Sequence, residues 1–225
     1  MPGPVSKEEA ARKLKLAYHY PQEDQTARTL DSIQSLLSVM SKDHGSTAVL
    51  KEAAGLISKH LRIREVAIGL RNPDGMYRFE VFVGYRPEAE AANRKLVYRV
   101  QDFGDSSVYK GESISRLTRA YFAEDDPYVK SEEDTYNRPM LLKGKRLADD
   151  ETVEGDYFST IISSPNGDLL GWIEIGGTTA GRLPEASAIK WIELVASILG
   201  LYFAAGAPRT MDERRSSTAL QAASK

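Results

Sequence analysis

The sequence predicts an α+β domain built on an antiparallel sheet that is covered on both faces. Three observations lead there. Two hairpins, over residues 65–85 and 157–176, are apolar along both arms. Amphipathic helices precede the first hairpin, and a helix apolar nearly all round follows the second. Between the hairpins lies a long polar stretch without a sustained period.

Length and composition set bounds. The chain has 225 residues, room for one sizeable domain with accessory ends. Thirty Lys and Arg against 32 Asp and Glu leave a net charge of −2, so no one-signed field recommends nucleic acid or an anionic membrane as partner. His19, His44 and His60 are scattered and cysteine is absent, which removes disulfides, thiol catalysis and Cys-ligated zinc. The N-terminus lacks a signal peptide's apolar core, and no stretch reaches the ~20 apolar residues of a membrane span. The expectation is a cytoplasmic protein.

Residues 1–28 read as an N-terminal arm. "SKEEAARKLKLAYHY" suits a short helix with Ser6 as N-cap, either docked loosely or packed on a partner subunit, and Pro21 ends it. From Thr29, Leu30, Ile33, Leu37 and Met40 recur at helical spacing, with Gly45 past the end. Ser46 offers the cap of a second helix, whose apolar side is Leu50, Ala53, Ala54, Ile57 and Leu61.

"EVAIGLR", the turn "NPDG" and "MYRFEVFVGY" form the first hairpin. Alternation places Val66, Ile68 and Leu70 together, and Tyr77, Phe79, Val81 and Val83 together with Phe82 opposite. Residues 87–96 read as a short helix and "VYRVQDF" (97–103) as a strand. A helix is expected from Ser113, with Ile114, Leu117 and Tyr121 on one side, ending before Pro127. Residues 130–155 are charged and aperiodic, the character of a lid, a binding loop or a mobile segment. The second hairpin turns at Asn166-Gly167, and the closing helix carries two apolar stripes, one containing Trp191, Leu194, Ile198 and Leu201. Residues 205–225 read as a flexible tail in which "RRSS" is a candidate kinase site.

Three pieces, "LKEAAGLISKHLRIREVAIGLRNPDG", "GDYFSTIISSPNGDLLGWIEIGG" and "AIKWIELVASILGLYF", make residues 29–204 resemble a GAF domain. Residues 86–155 depart from the family's spacing. The resemblance implies a central antiparallel sheet with the first, second and C-terminal helices on one face and short helices and loops roofing the other. It also implies a small molecule beneath the roof and a homodimer through the helical face. Sub-functions can be weighed by residue. The "NKFDE"-type motif of cyclic-nucleotide-binding members is absent, as are the cysteines of covalent bilin carriers and of methionine sulfoxide reductases. About 28 residues precede the domain and about 20 follow it, too few for an output module, so a stand-alone sensor or adaptor, or a fragment of a longer chain, is expected.

Glu174 is the residue that most needs explaining. Alternation in "LLGWIEIGG" sets Leu170, Trp172 and Glu174 on one face, and a buried acid needs either a ligand or a basic neighbour such as Arg99 or Arg78. Tyr121, Phe122, Tyr128, Tyr136 and Arg138 suit a pocket roof or a loop's own small core. The expected ligand contacts are Phe82, Arg99, Tyr121, Tyr136, Arg138, Trp172 and Glu174, with no catalytic or metal residue and the cofactor unknown. The acidic runs "AEDDPY" and "KSEED" lack calcium-loop spacing, and "DSSVYKGES" is a weak anion cradle. A non-enzymatic homodimeric sensor with a downstream protein partner is the leading expectation. The competing ones are an interaction scaffold with a self-filled pocket, and an enzyme with its site in the long loop.

Overall fold

A computed structural model of the chain describes residues 6–19, 26–42, 45–103, 110–125, 130–142 and 144–206. Within them the six strands β1 (Val66–Arg71), β2 (Tyr77–Val83), β3 (Glu112–Ser113), β4 (Thr118–Tyr121), β5 (Tyr157–Ser163) and β6 (Leu169–Ile175) form one antiparallel sheet in the order β2-β1-β6-β5-β4-β3. The two predicted hairpins are its centre. Gly75 (φ 82°) and Gly167 (φ 89°) take the left-handed positions their turns require, each donating its N–H back across the turn at 2.9 Å.

One face is packed by helices. α3 (Ser46–Leu61) lies on β1 and β2, and α5 (Ala186–Ala204) lies on β5 and β6, with α2 (Thr26–Ser41) against both helices. Leu50, Ala53 and Ile57 meet Ile189, Ile192, Val195 and Leu199 over Val66, Ile68, Ile162, Ile173 and Ile175, all essentially buried. α5 sits so close to β5 that a side-chain carbon at Gly200 would lie 2.2 Å from the Ser163 carbonyl oxygen. By length and composition these 19 residues could cross a membrane, which counting uninterrupted apolar runs overlooks; here more than half are buried in the core.

α1 (Lys7–His19) packs on α5 of its own chain and buries Ala10, Ala11 and Leu14. Ser6 caps it reciprocally: the Glu9 N–H donates to Ser6 Oγ at 3.3 Å, and the Ser6 N–H donates to the Glu9 carboxylate at 3.4 Å. Lys7 pairs with Asp125 and Lys15 with Glu112 at 2.7 Å, tying α1 to the β3–β4 end of the sheet. At α3 it is Gly45, not Ser46, that occupies the cap position, and Ser46 is buried in the first turn.

Several sequence expectations are corrected. Residues 97–103 are not a strand: Tyr98 makes one isolated bridge to Tyr77, and Val100–Phe103 is a 3₁₀ turn closed by the Asp102 carboxylate, which accepts the Arg99 N–H at 2.7 Å. Val97 and Val100 are exposed, so their spacing buries nothing. The helix expected from Ser113 is the β3–β4 hairpin instead. Ser115 Oγ accepts the N–H groups of Leu117 and Thr118 at 3.0 Å, an ST-type turn that competes with helix. α4 spans only Pro87–Asn93.

Two β-bulges overturn the expected alternation. Glu80 is an extra residue opposite Ile68 and Gly69, so Tyr77, Phe79 and Phe82 share the roofed side while Val81 and Val83 turn to the helices. Leu170 is an extra residue opposite Ile162 and Ser163, so Leu169 rather than Leu170 joins the face of Trp172 and Glu174.

Candidate functional site

The second face of the sheet is roofed by residues 85–103, 130–137 and 153–156, and a cavity of about 460 Å³ lies beneath them. Its floor is supplied by alternate residues of adjacent strands: Trp172 and Glu174 of β6, Tyr157 and Ser159 of β5 and Tyr121 of β4. Glu65 enters from the residue before β1, and Tyr85 from the loop after β2. Tyr98, Phe103, Tyr136 and the segment 153–156 form the opposite wall.

The Trp172 end is closed by protein. Its ring lies over Gly69, where a side-chain carbon would fall 2.1 Å from the indole, so only glycine fits beneath it. Phe79, Phe103 and Tyr98 surround the indole with ring centres 4.8, 5.0 and 5.5 Å away. Glu174, two residues on, lines the same space.

Two arginine–carboxylate clamps fix the roof. Arg138 reaches Glu154 with its backbone N–H at 2.8 Å, its Nε at 2.9 Å and a guanidinium nitrogen at 2.8 Å. Arg146, fully buried, holds Asp156 at 3.0 Å and Glu124 at 3.0 Å, with its guanidinium 5.1 Å from the Phe122 ring centre. Asp156 also accepts the N–H groups of Ala123 and Val153. Arg86 and Asn93 bond the 134–137 segment, joining α4 to the roof.

The acids differ in how they are compensated. Burial pushes Glu65 upward from the usual carboxylate range while Arg64, at 2.7 Å, pulls it back. Burial likewise raises Asp156 against the pull of Arg146. Desolvation carries Glu174 from an ordinary 4.5 to about 7, opposed only by a hydrogen bond from Trp172. Burial pushes the Tyr85 hydroxyl well above its usual range, and the Glu174 and Glu65 charges add to it.

Of the residues expected to contact a ligand, Tyr121, Tyr136, Trp172 and Glu174 line the cavity. Arg138 stands behind the wall on Glu154. Phe82 packs on Phe79 and Tyr85 with Arg94 over its ring, and does not reach the cavity. Arg99 is exposed and Arg78 pairs with Asp74 at 2.8 Å, so neither neutralises Glu174. Glu65, Tyr85, Glu154 and Tyr157 are wall residues that sequence reasoning missed. Tyr157 follows from strand alternation, since it stands opposite Tyr121 and shares a face with Ser159, the partner of Glu174, whereas Glu154 sits in an aperiodic loop. Tyr128 and "RRSS" lie outside the described residues, as do parts of "AEDDPY" and "DSSVYKGES". Among the described residues no three His, Asp or Glu side chains converge on a metal position.

The chain superposes on solved domains of one kind. The chain has the GAF fold. The phycoerythrobilin-bound GAF domain of a cyanobacterial phytochrome superposes with a TM-score of 0.52 at 10% identity, covering 80% of this chain and 96% of that one. The A. aeolicus nlh2 GAF domain in an inactive state gives 0.50 at 13% identity, with 78% and 94% covered. A GAF domain/HD domain protein from Geobacter sulfurreducens gives 0.50 at 11% identity, with 72% and 94% covered. No family model and no curated protein matches the sequence. At such identities the GAF likeness carries the fold alone.

Proposed function

We propose that this chain is a non-enzymatic sensory or regulatory domain that takes a small molecule into the cavity beside Glu174 and acts as a homodimer through its helical face. The observation that carries the reading is a polar cavity of about 460 Å³ whose floor holds a carboxylate without a basic partner among the described residues. Such a group is costly in an apo protein and useful in a liganded one. One solved relative is bound to phycoerythrobilin, which supports this fold's capacity for a ligand.

A route to the helices is built into β6. Glu174 faces the cavity while Ile173 and Ile175, its neighbours, are buried in the core that α5 shares. A ligand preferring one position of the roof would bias α5 by its differential affinity. Exposed Leu37, Leu194 and Leu201 on α2 and α5 supply apolar surface for a second copy and for a cytoplasmic protein partner.

Native mass spectrometry of gently purified full-length chain tests the reading. The expected result is a retained small molecule lost on denaturation, with light scattering reporting a dimer. The filled Trp172 end favours a second reading, a scaffold whose aromatic residues replace the ligand. A dimer that binds nothing would be its signature.

A further inference from the structure

The cavity's charges do not balance. Three of its carboxylates already face an arginine: Glu65 with Arg64 at 2.7 Å, Glu154 with Arg138 at 2.8 Å and Asp156 with Arg146 at 3.0 Å. Asp102 is engaged by the Arg99 N–H, and Glu132 is exposed at the rim. Glu174 is the carboxylate left over, and Arg64, the basic residue on the wall, is already committed to Glu65.

Aromatic rings stand around the same space. Tyr85, Tyr121, Tyr136 and Tyr157 all line it, and Tyr121 and Tyr157 are stacked with ring centres 4.5 Å apart and planes 9° apart. A tyrosine wall can receive a cation on the negative face of a ring, and it offers an anion no such attraction. An anion would meet surplus negative charge. A neutral apolar molecule would strand the carboxylate without water. A metal ion would find no set of three ligands among the described residues.

We infer that the ligand is a compact organic ammonium ion, its charge against Glu174 and its carbon substituents against the tyrosine rings. This rests on the ligand-binding reading above and names its chemical class. The ion replaces the missing basic partner, and the tyrosine walls recognise a cation that carries hydrocarbon.

The test uses three probes of one shape on the full-length chain, read by saturation-transfer NMR: choline, the neutral 3,3-dimethylbutan-1-ol and the anionic 3,3-dimethylbutanoate. Choline should bind in preference to both others. Glu174→Gln, which keeps the shape and folds as shown by an unchanged far-ultraviolet spectrum, should weaken choline by about tenfold or more. Tyr157→Leu should weaken it as well, while Tyr157→Phe, which keeps the ring, should not. Equal binding of the alcohol, preference for the carboxylate, no binding of choline, or undiminished binding to Glu174→Gln would each overturn the cation assignment. Native mass spectrometry separates the two levels of failure. If choline fails but a small molecule is retained, only its class is wrong. If nothing is retained either, the ligand-binding reading falls with it.

Discussion

Glu174 shows how one residue's surroundings become a measurable property of the whole chain. Its folded-state pKa of about 7 lies above the ordinary 4.5, so between those values the native state holds a proton that the unfolded state has released. The stability this contributes is complete below pH 4.5 and is lost as pH rises through about 7, in the ligand-free protein. Glu65 and Asp156, raised by burial, work in the same direction, and Tyr85 is held protonated. Glu174→Gln, neutral at every pH, should match the parent near pH 4.5. At pH 8 it should be more stable by roughly 3 kcal/mol at most. Urea denaturation at the two pH values checks this, and equal differences at both would contradict it.

At the scale of elements, the roof depends on a clamp more than on an apolar core of its own. Arg146 is completely buried and satisfies Asp156 and Glu124 at once. Arg146→Met preserves much of the volume but leaves a buried carboxylate uncompensated, at a cost of about 3–5 kcal/mol. Limited proteolysis should then cut within residues 122–156 before the sheet unfolds. Protection equal to the parent would remove the clamp from the account. The elements also divide by how readable they were. The hairpins over 66–83 and 157–175 declare themselves because turn residues and apolar arms agree. The bulges at Glu80 and Leu170 do not, since an extra residue leaves the apolar composition intact while exchanging faces. Ile114, Leu117 and Tyr121 fit helix and hairpin spacing alike, and a serine side chain decides between them. Trp172 and Glu174 were legible as a facing pair because they lie beyond the bulge in uninterrupted alternation. Glu65, Glu154 and Asp156 were not, since the folded roof assembles them from distant segments.

For the molecule as a whole, α1 is docked on α5 of its own chain and shares its apolar core. Leu14 is 4% exposed and lies in the same apolar cluster as Trp191 and Ile192 of α5. Leu14→Ala should therefore lower global stability by about 2–4 kcal/mol, measured from the denaturation midpoint at constant slope. A change below about half a kcal/mol would show α1 to be dispensable. The docked helix also bears on the proposed dimer, because α1 packs on α5, whose second stripe was expected to meet a partner. Trp191 is buried, and only Leu194 and Leu201 of that stripe stay largely exposed.

The strict alternation of β6 beyond Leu170 has a consequence for how the chain avoids mispairing. If β6 slipped by one position against β1 and β5, the carboxylate of Glu174 would be thrust among isoleucines and leucines, and Ile173 and Ile175 would be stranded in a chamber lined by carboxylates. The same acid that sits on the chamber floor thus makes the wrong alignment expensive.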